Sequence, residues 1–287
     1  MLPDYFLSLL HRLSQGLVAF VGLGLLVACA SVDPVDPVDL ATASGPVKSV
    51  EAPDVEWLSA AFGSRGTAVR NTQSVMWQHC TFPGKKPTAY HAMLLDGRQV
   101  IRSEAKSSAS MLRQSLRVEP GELSKLSFSW KVPALIQGAD LTHRDMDDSP
   151  VRLVLAFDGD RSRFSAKNAM LSELVLTLTG EPLPYATLMY VWSNHSAVES
   201  VIINTRTDRI RKLVLESGPM QLDRWLDYER DIKADYEKAY GEAPGALVGI
   251  GIMTDSDNTR QQTRAWFGPV SLQSRTVDFA AGLAGVP

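Results

Sequence analysis

Four aspartates and one asparagine are the first side chains in this sequence that could do chemistry. Asp255, Asp257 and Asn258 fall within four residues of one another in the run Asp-Ser-Asp-Asn-Thr, and Asp147 and Asp148 are neighbours a hundred residues earlier. Hard oxygen donors of this kind suit calcium, which takes six to eight oxygens and tolerates flexible loops. Asp255, Asp257 and Asn258 are therefore the candidate ligands of a structural calcium. The run lacks the glycine and the distal glutamate of an EF-hand loop. Such side chains also cap turns by bonding nearby backbone. Paired carboxylates could instead serve glycoside hydrolysis, which needs two carboxyls about 5 Å or about 6.5–9.5 Å apart across a sugar site. Asp147 and Asp148 would face apart in an extended segment, whereas Asp255 and Asp257 would share a face if their strand continues. A third use of the same acids follows from Arg152, which opens an apolar run. A buried arginine needs a carboxylate, and Asp255 or Asp257 could supply it in a structural ion network. Arg230 beside Asp231 could form a similar pair.

The aromatic residues form a second candidate surface. Trp130 and Trp192 sit among alternating apolar residues and read as core. Trp225, Trp266 and Tyr90 are better placed to form an exposed platform for a sugar ring. Cys80 and His79 are adjacent, so in a strand they face apart and make no nucleophile–base pair. The histidines show no zinc spacing, and no phosphate-cradling or dinucleotide glycine motif is present.

Elements that would position these groups are mostly strands. The stretch 247–259 begins as an apolar, β-branched run and then breaks into the acidic cluster, as a core strand ending at a site would. Residues 88–95 and 99–105 flank Asp96-Gly97, a hairpin signal. Residues 111–118, 126–132, 151–158, 186–192, 198–204, 210–216 and 264–272 also read as strands. Residues 140–150 form a polar loop. Helical spacing covers 168–178 with Gly180 as its stop, and 225–240, most clearly from Ile232 on, with Gly241 as its stop. Many short strands with two helices predict a mainly β fold, an antiparallel jelly-roll-like β-sandwich. With 287 residues, 45% hydrophobic and 21% charged, the chain has ample material for one large core. Its net charge of −3 and scattered basic residues exclude a nucleic-acid footprint.

The N-terminus reads as an address. Residues 16–28 are almost wholly apolar, the length of a signal-peptide core and short for a membrane span. They end in Leu26-Val27-Ala28-Cys29, which resembles the bacterial lipobox. That resemblance implies cleavage before Cys29 and acylation there, and several acyl chains anchor stably where one binds marginally. Ala30 in place of aspartate implies, by resemblance to lipoprotein sorting in enteric bacteria, the outer membrane facing the periplasm. The repeated Val-Asp-Pro of 32–39 cannot form helix. The expected organisation is therefore a signal peptide over 1–28, a lipidated cysteine and tether over 29–53, a β-sandwich over 54–275 and a frayed tail over 276–287.

Several motifs in order resemble one known family: Ser129-Trp130-Lys131-Val132, Gly138-Ala139-Asp140, Asp147-Asp148 leading into 151–158, Leu188-Met189-Tyr190-Val191-Trp192, Glu229-Arg230-Asp231-Ile232 with Asp235-Tyr236, and 252–259. Together they are similar to the bacterial family known as domain of unknown function 3047, over about residues 70–273. The resemblance implies an exported protein with a fold like the jelly rolls of carbohydrate-binding modules. It implies no activity and no catalytic residues. The functional expectation is an envelope lipoprotein that binds a glycan or a protein without catalysis. A periplasmic polysaccharide hydrolase working through Asp147, Asp148, Asp255 and Asp257, or a structural subunit of an envelope assembly, are the alternatives.

Overall fold

The computed structural model describes residues 77–272. The expected leader, Cys29, the expected tether, residues 54–76 of the expected sandwich and the expected tail lie outside the described residues. Among the described residues no helix is long and apolar enough to cross a membrane.

Thirteen strands follow in chain order: β1 (Gln78–Thr81), β2 (Ala89–Leu95), β3 (Arg98–Lys106), β4 (Ala109–Val118), β5 (Lys125–Lys131), β6 (Arg152–Phe157), β7 (Ala186–Ser193), β8 (Val201–Ile203), β9 (Ile210–Ser217), β10 (Trp225–Asp231), β11 (Leu247–Asp255), β12 (Gln262–Phe267) and β13 (Ser271–Leu272). They build two sheets. A seven-stranded sheet has the order β1-β4-β11-β6-β7-β9-β8, and a six-stranded one the order β10-β5-β12-β3-β2 with β13 paired to β5. The pairings are antiparallel except for β7 and β9, which run parallel. This is the expected β-sandwich with one parallel pair added.

Alternation in β5 explains the core between the sheets. Leu126, Phe128 and Trp130 point inward and are buried, while Lys125 and Lys131 point out. Phe128 stacks on Tyr190 of the opposite sheet, ring centroids 5.6 Å apart and nearly parallel. β6 and β7 are buried at every residue, so their runs lack polar alternation. Their inner faces meet the six-stranded sheet. Their outer faces carry Val154, Met189 and Val191, which pack with Phe82, Leu141 and Met253 in a second apolar layer.

The first helix, α1 (Ala166–Thr179), is capped by Ser165, whose side chain accepts from Asn168 N, and ends at Gly180 with φ +80°. The second, α2 (Ile232–Tyr240), is capped by Asp231 and ends at the left-handed Gly241. The expectation of helix across 225–240 holds only from Ile232. Residues 225–231 are β10, with Trp225 opposite Lys131 and Asp231 opposite Lys125. Their polar–apolar alternation has a period of two, and the cap at Asp231 marks where the period changes. The strand expected over 198–204 shrinks to Val201–Ile203.

Candidate functional site

The end of β11 brings the acidic residues together. The strand stops at Asp255, so Asp257 reaches the cluster from a turn and not, as expected, from the same strand face. Carboxylate oxygens of Asp148, Asp255 and Asp257 lie within 4.8 Å of one another. Asn258, expected among them, turns its side-chain amide to Arg144 O and Asp147 O instead. Asp148 takes its place.

Each acid already has donors. Arg152 Nε donates to Asp255 Oδ1 at 2.8 Å and its Nη2 to Oδ2 at 2.7 Å, a forked, buried pair. Ser149 N adds a third bond to Asp255 Oδ1 at 3.1 Å. The same Arg152 Nη2 reaches Asp147 Oδ1 at 3.1 Å, and the other oxygen of Asp147 accepts from Lys212 Nζ. Lys212 is 1% exposed and also donates to Leu141 O at 3.0 Å. Lys85 Nζ sits 2.6 Å from Asp257 Oδ2. Asp148 accepts from Asn258 N, from Thr259 N at 2.7 Å and from Thr259 Oγ1 at 2.6 Å. The network therefore ties the 140–149 loop and the 256–259 turn to the end of the seven-stranded sheet.

Burial shapes the titration of this group. It raises the Asp255 carboxyl, with Arg152 pulling the other way, and raises Asp148 as well. It lowers Lys212 against the pull of Asp147. The pocket among Lys85, Asp147, Arg152, Lys212, Asp255 and Asp257 has about 30 Å³ of space for water-sized spheres. At about 10–15 Å³ per water, that is room for two waters and far too little for a sugar ring.

These facts bear on the three uses of the acids. A calcium ion needs six to eight oxygens, and the oxygens of Asp148 and Asp255 are taken by arginine, hydroxyl and backbone donors. A hydrolytic pair needs a sugar site between its carboxyls, and the space among these acids is about 30 Å³. The arrangement is an ion network centred on Arg152. Thermal unfolding of chelated protein is expected to give the same Tm with and without added calcium. A calcium-dependent rise would make Asp148, Asp255 and Asp257 a metal site.

Lys212 and Lys85 escaped the sequence reading. For Lys212 a signal existed, because it interrupts the apolar alternation Ile210, Val214 on one face of β9, as Arg152 does in β6. Arg230 pairs with Asp235 at 2.6 Å and with Glu199 at 2.8 Å. Asp231, its expected partner, is the cap of α2.

Trp225 and Trp266 come together on the outer face of the six-stranded sheet. Trp225 and Trp266 both lie opposite Lys131, and Trp266 also lies opposite Arg102, which lies opposite His91. One lateral row thus reads Trp, Lys, Trp, Arg, His. Both tryptophans are half-buried. Asp96 Oδ2 accepts from Trp225 Nε1 and Lys131 Nζ, each at 3.0 Å. Arg98 lies 5.1 Å over the Trp225 ring and pairs with Asp227. Tyr90 does not join the row. It packs against the core, and its hydroxyl donates to Ser110 O.

Three solved structures share part of the outline. The xyloglucanase domain of NopAA, a type three effector from Sinorhizobium fredii solved with cellobiose, is 12% identical, with 69% of this chain and 93% of that one covered and a TM-score of 0.38. Endoglucanase 3 of Trichoderma harzianum, from family GH12, is 7% identical, with coverage of 70% and 85% and a TM-score of 0.35. The endo-1,4-β-glucanase CelB2 is 10% identical, with coverage of 70% and 93% and a TM-score of 0.39. At such identities and scores their activities carry nothing over to this chain. A search of curated proteins gives no significant match. The model of the family described as protein of unknown function DUF3047 matches residues 75–271, and the chain belongs to that family.

Proposed function

We propose that this protein is a non-catalytic binding module of the bacterial envelope, anchored through an acylated Cys29 to the outer membrane and holding a glycan strand on the outer face of its six-stranded sheet. The carrying observation is the in-register row Trp225, Lys131, Trp266. Strands lie about 4.8 Å apart, so the backbone positions carrying the two indoles are about 9.6 Å apart. A linear polysaccharide can present alternate rings over that distance, with Lys131 between them as a donor to hydroxyls. Arg98 over Trp225 is held by an exposed ion pair with Asp227, worth about 0–1 kcal/mol. Displacing it costs little. The neutralised, two-water acidic pocket supports binding without catalysis.

Affinity electrophoresis of the full-length chain through gels cast with soluble linear glucans, xylans or peptidoglycan fragments tests the reading. Retardation by at least one polymer is expected, together with its loss in Trp225→Ala/Trp266→Ala. Retention by none, or equal retention of the double variant, would remove the row as the binding face. Cell fractionation tests the anchor. Cys29→Ser is expected to move the protein from the membrane pellet to the soluble fraction, and an unchanged distribution would refute acylation at Cys29.

A further inference from the structure

The outer face of the seven-stranded sheet carries a second opening, on the side of the molecule away from the tryptophan row. Ser115, Gly249 and Ala156 lie side by side in register on β4, β11 and β6. Elsewhere this face carries Met111, Val154 and Met189. Three small residues in one lateral row leave a depression. The register of β11 also slips between Leu247 and Gly249, a bulge that bends the strand away locally. The connection from β6 to β7 crosses above it and closes a cleft of about 230 Å³. That is just below the roughly 300–1,000 Å³ that encloses a drug-sized ligand, so the cleft suits one pyranose-sized molecule.

Its walls are polar and carry both signs of charge. Arg113 clasps Glu181 through two bonds of 3.0 and 3.3 Å. Asp158 accepts from Arg117 at 3.3 Å and from Gly159 N at 2.9 Å. Arg161 differs from the other arginines of the cleft. Its guanidinium donates to Ser172 Oγ at 2.9 Å and to Leu183 O. Both acceptors are neutral, and no described carboxylate lies within ion-pair distance of it. Stacking contributes little here. The ring of Tyr185 has Phe164 against one side, parallel at 5.5 Å, and Arg209 over it at 4.0 Å. Recognition must then come from hydrogen bonds and charge.

Carboxylates accept from hydroxyls, and a planar guanidinium matches a ligand carboxylate with two parallel bonds. We propose that this cleft binds a sugar acid, a pyranose-sized polyhydroxylated carboxylate. Arg161 takes its carboxylate, and Glu181 and Asp158 accept from its hydroxyls. The site is independent of the tryptophan row, because it lies on the other sheet and takes a single residue and not a strand.

Isothermal titration calorimetry of the full-length chain with glucuronic acid, and with glucose as the neutral control, tests the assignment. Saturable binding of glucuronic acid with a Kd of about 1 mM or tighter is expected, with glucose at least about tenfold weaker for want of the charged fork. Arg161→Gln is expected to remove that preference. Arg161 also braces Leu183, so a second variant leaves it untouched: Ser115→Trp, at an exposed position of the floor, fills the cleft and abolishes binding. Equal affinity for glucose and glucuronic acid, no saturable heat with either, or binding that survives Ser115→Trp would each overturn the proposal. None of these outcomes alters retention by a polymer on the tryptophan row.

Discussion

Arg152→Met is expected to lose about 3–5 kcal/mol of unfolding free energy, read as a fall in the urea midpoint at unchanged slope. The reason lies in what is left behind. Removing the guanidinium strands Asp255, 4% exposed, with two donors lost at once, and takes one of the two cations from Asp147. An uncompensated buried carboxylate costs far more than the intact pair contributes. The same logic predicts recovery. Arg152→Met combined with Asp255→Asn removes charge of both signs and is expected to regain most of the loss, because a neutral amide can still accept from Ser149 N. If the double variant were as unstable as the single one, the loss would lie in packing against Met253 and Val191, which stand opposite Arg152, and not in charge. A large proportion of the domain's stability rides on this one side chain, since whole domains are stable by only about 5–15 kcal/mol.

That network also shows how far residues alone could lead. Arg152 is legible because a strong base inside an unbroken apolar run has few ways to be satisfied, and the acids within reach of a sandwich edge are few. Its partner came out as Asp255, one of the two residues expected. The bridge through Asp147 to Lys212 was not legible. It depends on β7 and β9 running parallel, which places Lys212 opposite Met189, and no local pattern announces a parallel pair in a chain of short strands. β10 was misread for a related reason. The segment 225–240 joins a strand to a helix without a break, and the period-two alternation of its first seven residues is too short to stand out beside the helical run that follows until strand pairing decides. The hairpin at Asp96-Gly97, by contrast, was plain, because a two-residue turn with φ of +52° and +74° admits few other sequences. The cleft on the seven-stranded sheet left no trace in the sequence. Its floor is made of residues with almost no side chain, and smallness at Ser115, Ala156 and Gly249 means something only once three strands are in register.

Gly249 in that floor and Gly245, four residues before it, should behave in opposite ways. Gly245→Ala is expected to cost about 3 kcal/mol. A Cβ at Gly245 would stand 2.0 Å from Asp158 O and 2.8 Å from Asp158 C, both main-chain atoms that no rotamer change can move. The two segments are joined there by Asp158 N donating to Ala246 O at 2.8 Å, so relieving the clash means parting the exit of β6 from the entry of β11. Gly249→Ala makes the control. Its Cβ would meet Ala156 Cβ at 3.5 Å and Gln114 O at 3.7 Å, ordinary contacts, and alanine restricts the unfolded chain more than glycine does, so stability should hold or rise slightly. Urea midpoints of the two variants side by side separate backbone contact from the generic effect of replacing glycine. Equal midpoints would mean that the β6 and β11 ends are not in contact at Gly245. A fall at Gly245 alone would show that the Asp158 wall of the cleft is set by main-chain packing, and that its carboxylate is held in place by the fold before any ligand arrives.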